Sequence, residues 1–180
     1  MNGINAINSI NAVNAENIED IEVDVHVNVS KNENVKYEYD NTLMALICDT
    51  IFSTPLKNDY NLGFIPNTIG INEKPLDVVL YMDTKLIPGC YIRCKFLGLL
   101  ETIDDTGYNP KLIMCPCKKV SYKYKKYNDI TDIRDEKLEN IKYYFEHYKD
   151  SENVQVQIGR WLNKNEAIET YMASQVQDMD

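Results

Sequence analysis

Thiols, ammonium groups and imidazoles that could do chemistry are spread along this chain, and their spacing sorts them. Five cysteines stand at positions 48, 90, 94, 115 and 117. Cys90 with Cys94, and Cys115 with Cys117, could offer four thiolates to zinc. A zinc ribbon wants two residues between paired ligands, and these pairs have three and one. The cysteines are therefore expected to be buried, reduced and structural. The run from Lys118 to Tyr127 interleaves basic and aromatic side chains, as a single-stranded RNA surface does. In so acidic a chain it is read instead as a solvated loop. His26 alternates with valines and so faces away from their side of a strand. His147, on a predicted helix beside Tyr148, is expected to serve packing or surface contacts.

The whole composition narrows the function further. The chain has 180 residues, 44% of them hydrophobic, enough for one globular domain with a sizeable core. Nineteen basic against 28 acidic residues give a net charge of -9, which disfavours duplex DNA and anionic membranes as partners. No apolar run approaches the roughly 20 residues that span a bilayer. The first 25 residues carry no Lys or Arg, so neither a secretory n-region nor an Arg-rich transit peptide is expected, and the default compartment is cytoplasmic.

These groups must be held by a limited set of elements. Asn2, Asn5, Asn8, Asn11, Asn14 and Asn17 repeat at a period of three, which matches neither helix nor strand. Residues 1–20 are therefore predicted to be a flexible low-complexity tail, and 21–180 a single domain. From Ile21 to Val29 the pattern becomes a clean alternation, that of a half-buried strand. Further strands are predicted at Val35–Tyr39, Leu43–Cys48, Asp77–Met82, Tyr91–Leu100 and Lys111–Cys115, with turns at Ile87-Pro88-Gly89 and Asp105-Thr106-Gly107. Two helices follow. Asp135–Tyr148 sets Leu138, Ile141, Phe145 and Tyr148 on one stripe. Lys164–Gln175 groups Ala167, Ile168, Tyr171 and Met172, with Asn163 as N-cap. Short strands followed by terminal helices point to a mainly β (α+β) fold, a small closed barrel with helices outside.

Five collinear segments carry a resemblance. They are Lys36-Tyr37-Glu38, Asn61-Leu62-Gly63-Phe64-Ile65, Lys74-Pro75-Leu76-Asp77-Val78, Pro88-Gly89 through Arg93-Cys94 to Gly98, and Phe145-Glu146-His147-Tyr148-Lys149. In order and spacing the chain resembles the soluble family I inorganic pyrophosphatases, from about Ile21 to Met172. The resemblance implies a five-stranded OB-like closed β-barrel flanked by two C-terminal helices. It also implies Mg²⁺-dependent hydrolysis of diphosphate and a homo-oligomer, a hexamer or dimer. A subunit of a larger assembly is the alternative for the partner.

Carried over residue by residue, the resemblance implies a damaged site. Lys36, Lys111, Tyr148 and Lys149 fall where phosphate-binding groups belong. Glu38 and Asp104 occupy acidic site positions, and Asp77 matches the metal-bridging aspartate. The segment Asn72-Glu73-Lys74-Pro75-Leu76-Asp77 resembles the family's Asp-x-Asp-Pro-x-Asp signature with only its last acid kept. Asn72 and Asn109 stand where metal-ligating aspartates belong, and Lys74 takes the place of the aspartate that activates water. Thr50 replaces an arginine; Asn58 and Leu62 replace tyrosines. A site glutamate on the first strand falls at His26, in a register uncertain by one residue. Diphosphate hydrolysis needs several hard cations on oxygen ligands. An ammonium about 4 Å from a divalent ion, at an effective dielectric of about 20, is repelled by about 8 kcal/mol. The implied reading is a pyrophosphatase-like protein that is inactive or severely impaired, with weak or absent Mg²⁺ binding. What it keeps is binding of phosphate, diphosphate or a partner. An active or re-specialised phosphohydrolase is the alternative, and a structural subunit a second one.

Overall fold

The computed structural model describes residues 21–176. The asparagine-repeat tail predicted for residues 1–20 lies outside them. Among the described residues nine strands and two α-helices follow in order: β1 (Glu22–Val29), β2 (Val35–Asp40), β3 (Ala45–Ile51), β4 (Asn61–Ile65), β5 (Leu76–Leu80), β6 (Tyr91–Asp104), β7 (Gly107–Tyr108), β8 (Lys111–Pro116), α1 (Asp135–His147), β9 (Gln157–Leu162) and α2 (Lys164–Ser174).

Five of the strands close on themselves. The order is β1–β4–β5–β8–β6, and β6 returns to pair with β1. All of these pairings are antiparallel except β5 with β8. β1 has three paired neighbours: Glu22–His26 pairs with β6, His26–Val29 with β4, and Val29 with β2. The closed barrel is filled by Val25, Val27, Val78, Leu80, Phe96, Leu99, Leu112 and Met114, all essentially without solvent contact. The β2–β3 hairpin extends from the end of β1, and β7 and β9 extend from β6. The fold is the mainly β, OB-like barrel with two C-terminal helices that the sequence implies.

Two glycines allow close approaches that set the barrel's shape. A Cβ on Gly63 would lie 2.3 Å from the His26 carbonyl oxygen, where β4 crosses β1. A Cβ on Gly98 would lie 2.6 Å from the Leu162 carbonyl oxygen and 2.8 Å from Ile130, where β9 and the loop holding Ile130 close over β6.

Several expectations need correction. β3 runs from Ala45 to Ile51, not from Leu43 to Cys48, because Leu43 and Met44 are part of the hairpin turn. The Asp40 carboxylate accepts the backbone N–H groups of Thr42 and Leu43, and Met44 turns the chain with φ 52°. β4 and β9 are strands in stretches where the alternation predicts none. Cys94, Cys115 and Cys117 are buried, but Cys48 is exposed on β3; all five thiols are free. The Lys118–Tyr127 run is not simply solvated: a 3-10 turn spans Tyr122–Lys126, and Tyr124 is buried in the core with its hydroxyl accepting from the Asp83 N–H. On α2, Ala167 and Ile168 are buried and Tyr171 meets Phe96, whereas Met172 is exposed. No helix among the described residues is long and apolar enough to cross a membrane.

Candidate active site

The barrel mouth between β1, β2, β5 and β8, capped by the end of α1, holds a cavity in two connected chambers. The inner one, about 330 Å³, is lined by Lys36, Lys74, Lys111 and Lys149 against three carboxylates, Asp77, Asp104 and Glu152. The outer one, about 690 Å³, opens past Glu38, Asp49, His26, Phe64 and Tyr91. Asn28, Lys36, Lys74 and Asp77 line both, so they form the neck.

Each cationic group is placed by local structure. Lys111 begins β8, in parallel register opposite Asp77 of β5. Its Nζ lies 2.5 Å from Asp77 Oδ2 and 5.7 Å from the centre of the Phe145 ring on α1. The Lys111 side chain is only 4% exposed, whereas Asp77 is 42% exposed. A buried ammonium needs such a partner, because losing water costs a lone charge on the order of several kcal/mol. Lys149 follows the end of α1 and reaches back to the β6–β7 turn, with Nζ 2.8 Å from Asp105 and 3.4 Å from Asp104. Lys36 on β2 is held by Glu38 at 2.5 Å and Asp49 at 3.2 Å. Burial works against the charge on Lys36 and Lys149, but their carboxylate partners outweigh it and keep both pKa values above the ordinary lysine range.

Asp104 is the most tightly held acid. Burial favours its neutral form, yet the hydroxyl and N–H of Thr106, the charge of Lys149 and the amide of Asn109 overcome this and lower its pKa to about 2. Tyr148 caps α1 and lies edge-on to Phe52, 5.9 Å between ring centres. Burial, reinforced by the charges of Asp104 and Asp77, pushes its phenol up, so it remains a neutral hydrogen-bond donor.

The structure thus brings together Lys36, Lys74, Asp77, Asp104, Asn109, Lys111, Tyr148 and Lys149, with Thr50 and Leu62 on the same wall. Glu38 lies in the outer chamber. Neither Asn58 nor Asn72 lines either chamber. Asn58 is buried in the loop before β4, where its side chain accepts the Tyr60 N–H. Asn72 turns inward on its own loop and accepts the Lys74 N–H.

The resemblance misses several neighbours, among them Asn28, Asp49 and Glu152. A bulge between Val27 and Val29 accompanies Asn28 into the inner chamber, while His26 stays in the outer one, packed 4.9 Å from both Phe64 and Tyr91. On this strand, whose register the sequence leaves uncertain, Asn28 lines the inner chamber and His26 the outer one. Asp49 is findable from the hairpin: β2 pairs Lys36 with Thr50, so the adjacent acid lies within reach of the lysine.

Magnesium, which the resemblance implies, is tested by these donors. Asp77 is bonded to Lys111, and Asp104 to Thr106, Asn109 and Lys149, with the Lys74 ammonium lining the same neck. Among the described residues no three His, Cys, Asp or Glu side chains converge as metal ligands. A cluster of several hard cations does not fit this donor set.

The comparisons with known proteins agree with this architecture. The sequence model of the family described as inorganic pyrophosphatase matches residues 25–178. An inorganic pyrophosphatase of Xylella fastidiosa is 36% identical over 148 residues, covering 81% of this chain and 83% of its own length. One of Nanoarchaeum equitans is 37% identical over 148 residues, covering 82% and 91%. The solved inorganic pyrophosphatase of Coxiella burnetii superposes with a TM-score of 0.81 at 31% identity, over 85% of this chain and 92% of that one. With its barrel, its cavity and its sequence all in agreement, the chain belongs to the inorganic pyrophosphatase family.

Proposed function

We propose that this chain binds phosphate anions on a pyrophosphatase fold and that its hydrolase activity is lost or severely reduced. One observation carries the reading: Lys74 lines the neck of the cavity together with Asp77, in a chamber of four lysines against three carboxylates. Such a lining attracts an anion without a metal cluster to neutralise it. Hydrolysis of diphosphate, in contrast, depends on preorganised positive charge at the leaving and attacking oxygens and on an activated water. A charged ammonium accepts no proton from water, and it repels the ion that would acidify one.

Phosphate release from diphosphate, followed across a magnesium titration, is the test. Release near the uncatalysed background, together with diphosphate binding in calorimetry, is the expected result. Turnover of about 1 s⁻¹ or more in millimolar magnesium would overturn it.

The same reading includes a homo-oligomer in a reducing, cytoplasm-like compartment. Five free thiols support the compartment. Support for self-association comes from the β2–β3 hairpin, whose Leu43, Met44 and Ile51 are each more than 60% exposed.

A further inference from the structure

The outer chamber is built for something an inorganic anion lacks. Its wall is aromatic: the ring of His26 lies 4.9 Å from Phe64 and 4.9 Å from Tyr91. Tyr91 and Tyr39 keep 63% and 48% of their surface exposed beside this wall. Glu38 and Asp49 stand at the same chamber, both bonded to Lys36 yet partly open to solvent. These carboxylates oppose a second anionic group there, but they accept hydrogen bonds from sugar hydroxyls and exocyclic amines. Lys111 and Lys149 line only the inner chamber, and Lys36 and Lys74 stand at the neck between the two, so all four lysines line the inner end. The cavity is therefore divided by chemistry into a cationic inner end and an aromatic, acceptor-rich outer end. Both chambers lie within the roughly 300–1,000 Å³ usual for small-molecule sites.

We infer that the ligand is a nucleoside diphosphate, with its phosphates among the inner lysines and its base against the His26–Phe64–Tyr91 wall. The inference rests on the anion-binding reading and adds the organic group. Aromatic faces stack on any base, so the wall selects for a base without fixing which one. Lys74, at the neck, lies between the two ends and is placed to meet the phosphate nearest the sugar.

Calorimetry on the full chain in magnesium-free buffer tests this, with ADP, inorganic diphosphate and phosphate as probes. ADP is expected to bind at least about tenfold more tightly than diphosphate, the worth of one base–aromatic stack. Tyr91→Ala removes an exposed ring at the start of β6, so the fold should persist. It should weaken ADP about tenfold and leave diphosphate unchanged. Equal affinity for the two anions, or an equal loss for both in Tyr91→Ala, overturns the inference. Diphosphate binding without an ADP advantage defeats this inference alone; if neither anion binds, the anion-binding reading falls with it.

Discussion

At the scale of single residues, Lys74 and Asn109 are the side chains that should govern metal affinity. Both line the inner chamber, and Asn109 donates to Asp104 at 3.3 Å. Restoring acids at both, Lys74→Asp with Asn109→Asp, is expected to tighten magnesium binding by at least about a hundredfold, even if only part of the repulsion between ammonium and ion is relieved. Adding Asn72→Asp should contribute little, because Asn72 points into its own loop. A magnesium titration that stays flat in the double variant would refute the electrostatic account. Asp104 supplies a second measurement. Its carboxyl carbon should titrate near pH 2 by NMR, and Lys149→Met should move the midpoint up toward 3.8. The native pKa is the depressed one, so Asp104 adds stability above about 3.8 and loses it as pH falls toward 2. Much of this site is legible through the family resemblance, since the lysines, Asp77, Asp104 and Tyr148 that it points to line one chamber. What spacing does not show is direction. Asn72 and Asn58 occupy motif positions yet bend away into their loops, while Asn28 reaches the chamber beside a bulge that shifts a period of two.

At the scale of elements, legibility follows the strength of the repeat. β1 alternates valines with polar residues over its full length, and α1 carries an apolar stripe. β4 has only five residues, including Asn61 and Gly63, too few to establish a period. β9 is half-exposed at every position along Gln157–Leu162 or more so, and owes its conformation to pairing with β6. Its existence is a tertiary fact, enforced where Gly98 lets the Leu162 carbonyl approach. Gly98→Ala is accordingly expected to cost about 1–3 kcal/mol in urea unfolding, the usual penalty for overpacking. α2 offers a contrasting local device. Asn163, the N-cap expected from the sequence, accepts the Glu166 N–H at 3.1 Å while the Glu166 carboxylate accepts the Asn163 N–H at 2.9 Å, which makes the cap reciprocal. Asn163→Ala should cost about 1 kcal/mol without altering ligand affinity. A loss of affinity there would mean that α2 positions the cavity, although no residue of α2 lines either chamber.

At the scale of the whole molecule, the net charge of -9 sets copies of the chain against one another, so self-association needs an apolar surface strong enough to prevail. The β2–β3 hairpin offers one. Leu43 and Met44 are 67% and 72% exposed at its tip, Leu46 is 43% exposed on β3, and Ile87 is 74% exposed in the turn before β6. Among the described residues β3 also pairs on one side only, with β2, and its other edge offers a place for strand addition. Burying one Leu or Met side chain of this kind is worth about 1.5–3 kcal/mol. Placing a charge at each tip position should therefore shift the association constant by about 100-fold or more. Light scattering on the full chain at micromolar concentration is expected to give a multiple of the 20.9 kDa chain mass. The double variant Leu43→Lys, Met44→Lys should give a smaller species with an unchanged circular dichroism spectrum. The added lysines lower the net negative charge and so weaken general repulsion. A smaller species in the variant would then trace to the lost apolar contact, whereas unchanged mass, or a wild-type monomer, would remove the hairpin from any role in assembly.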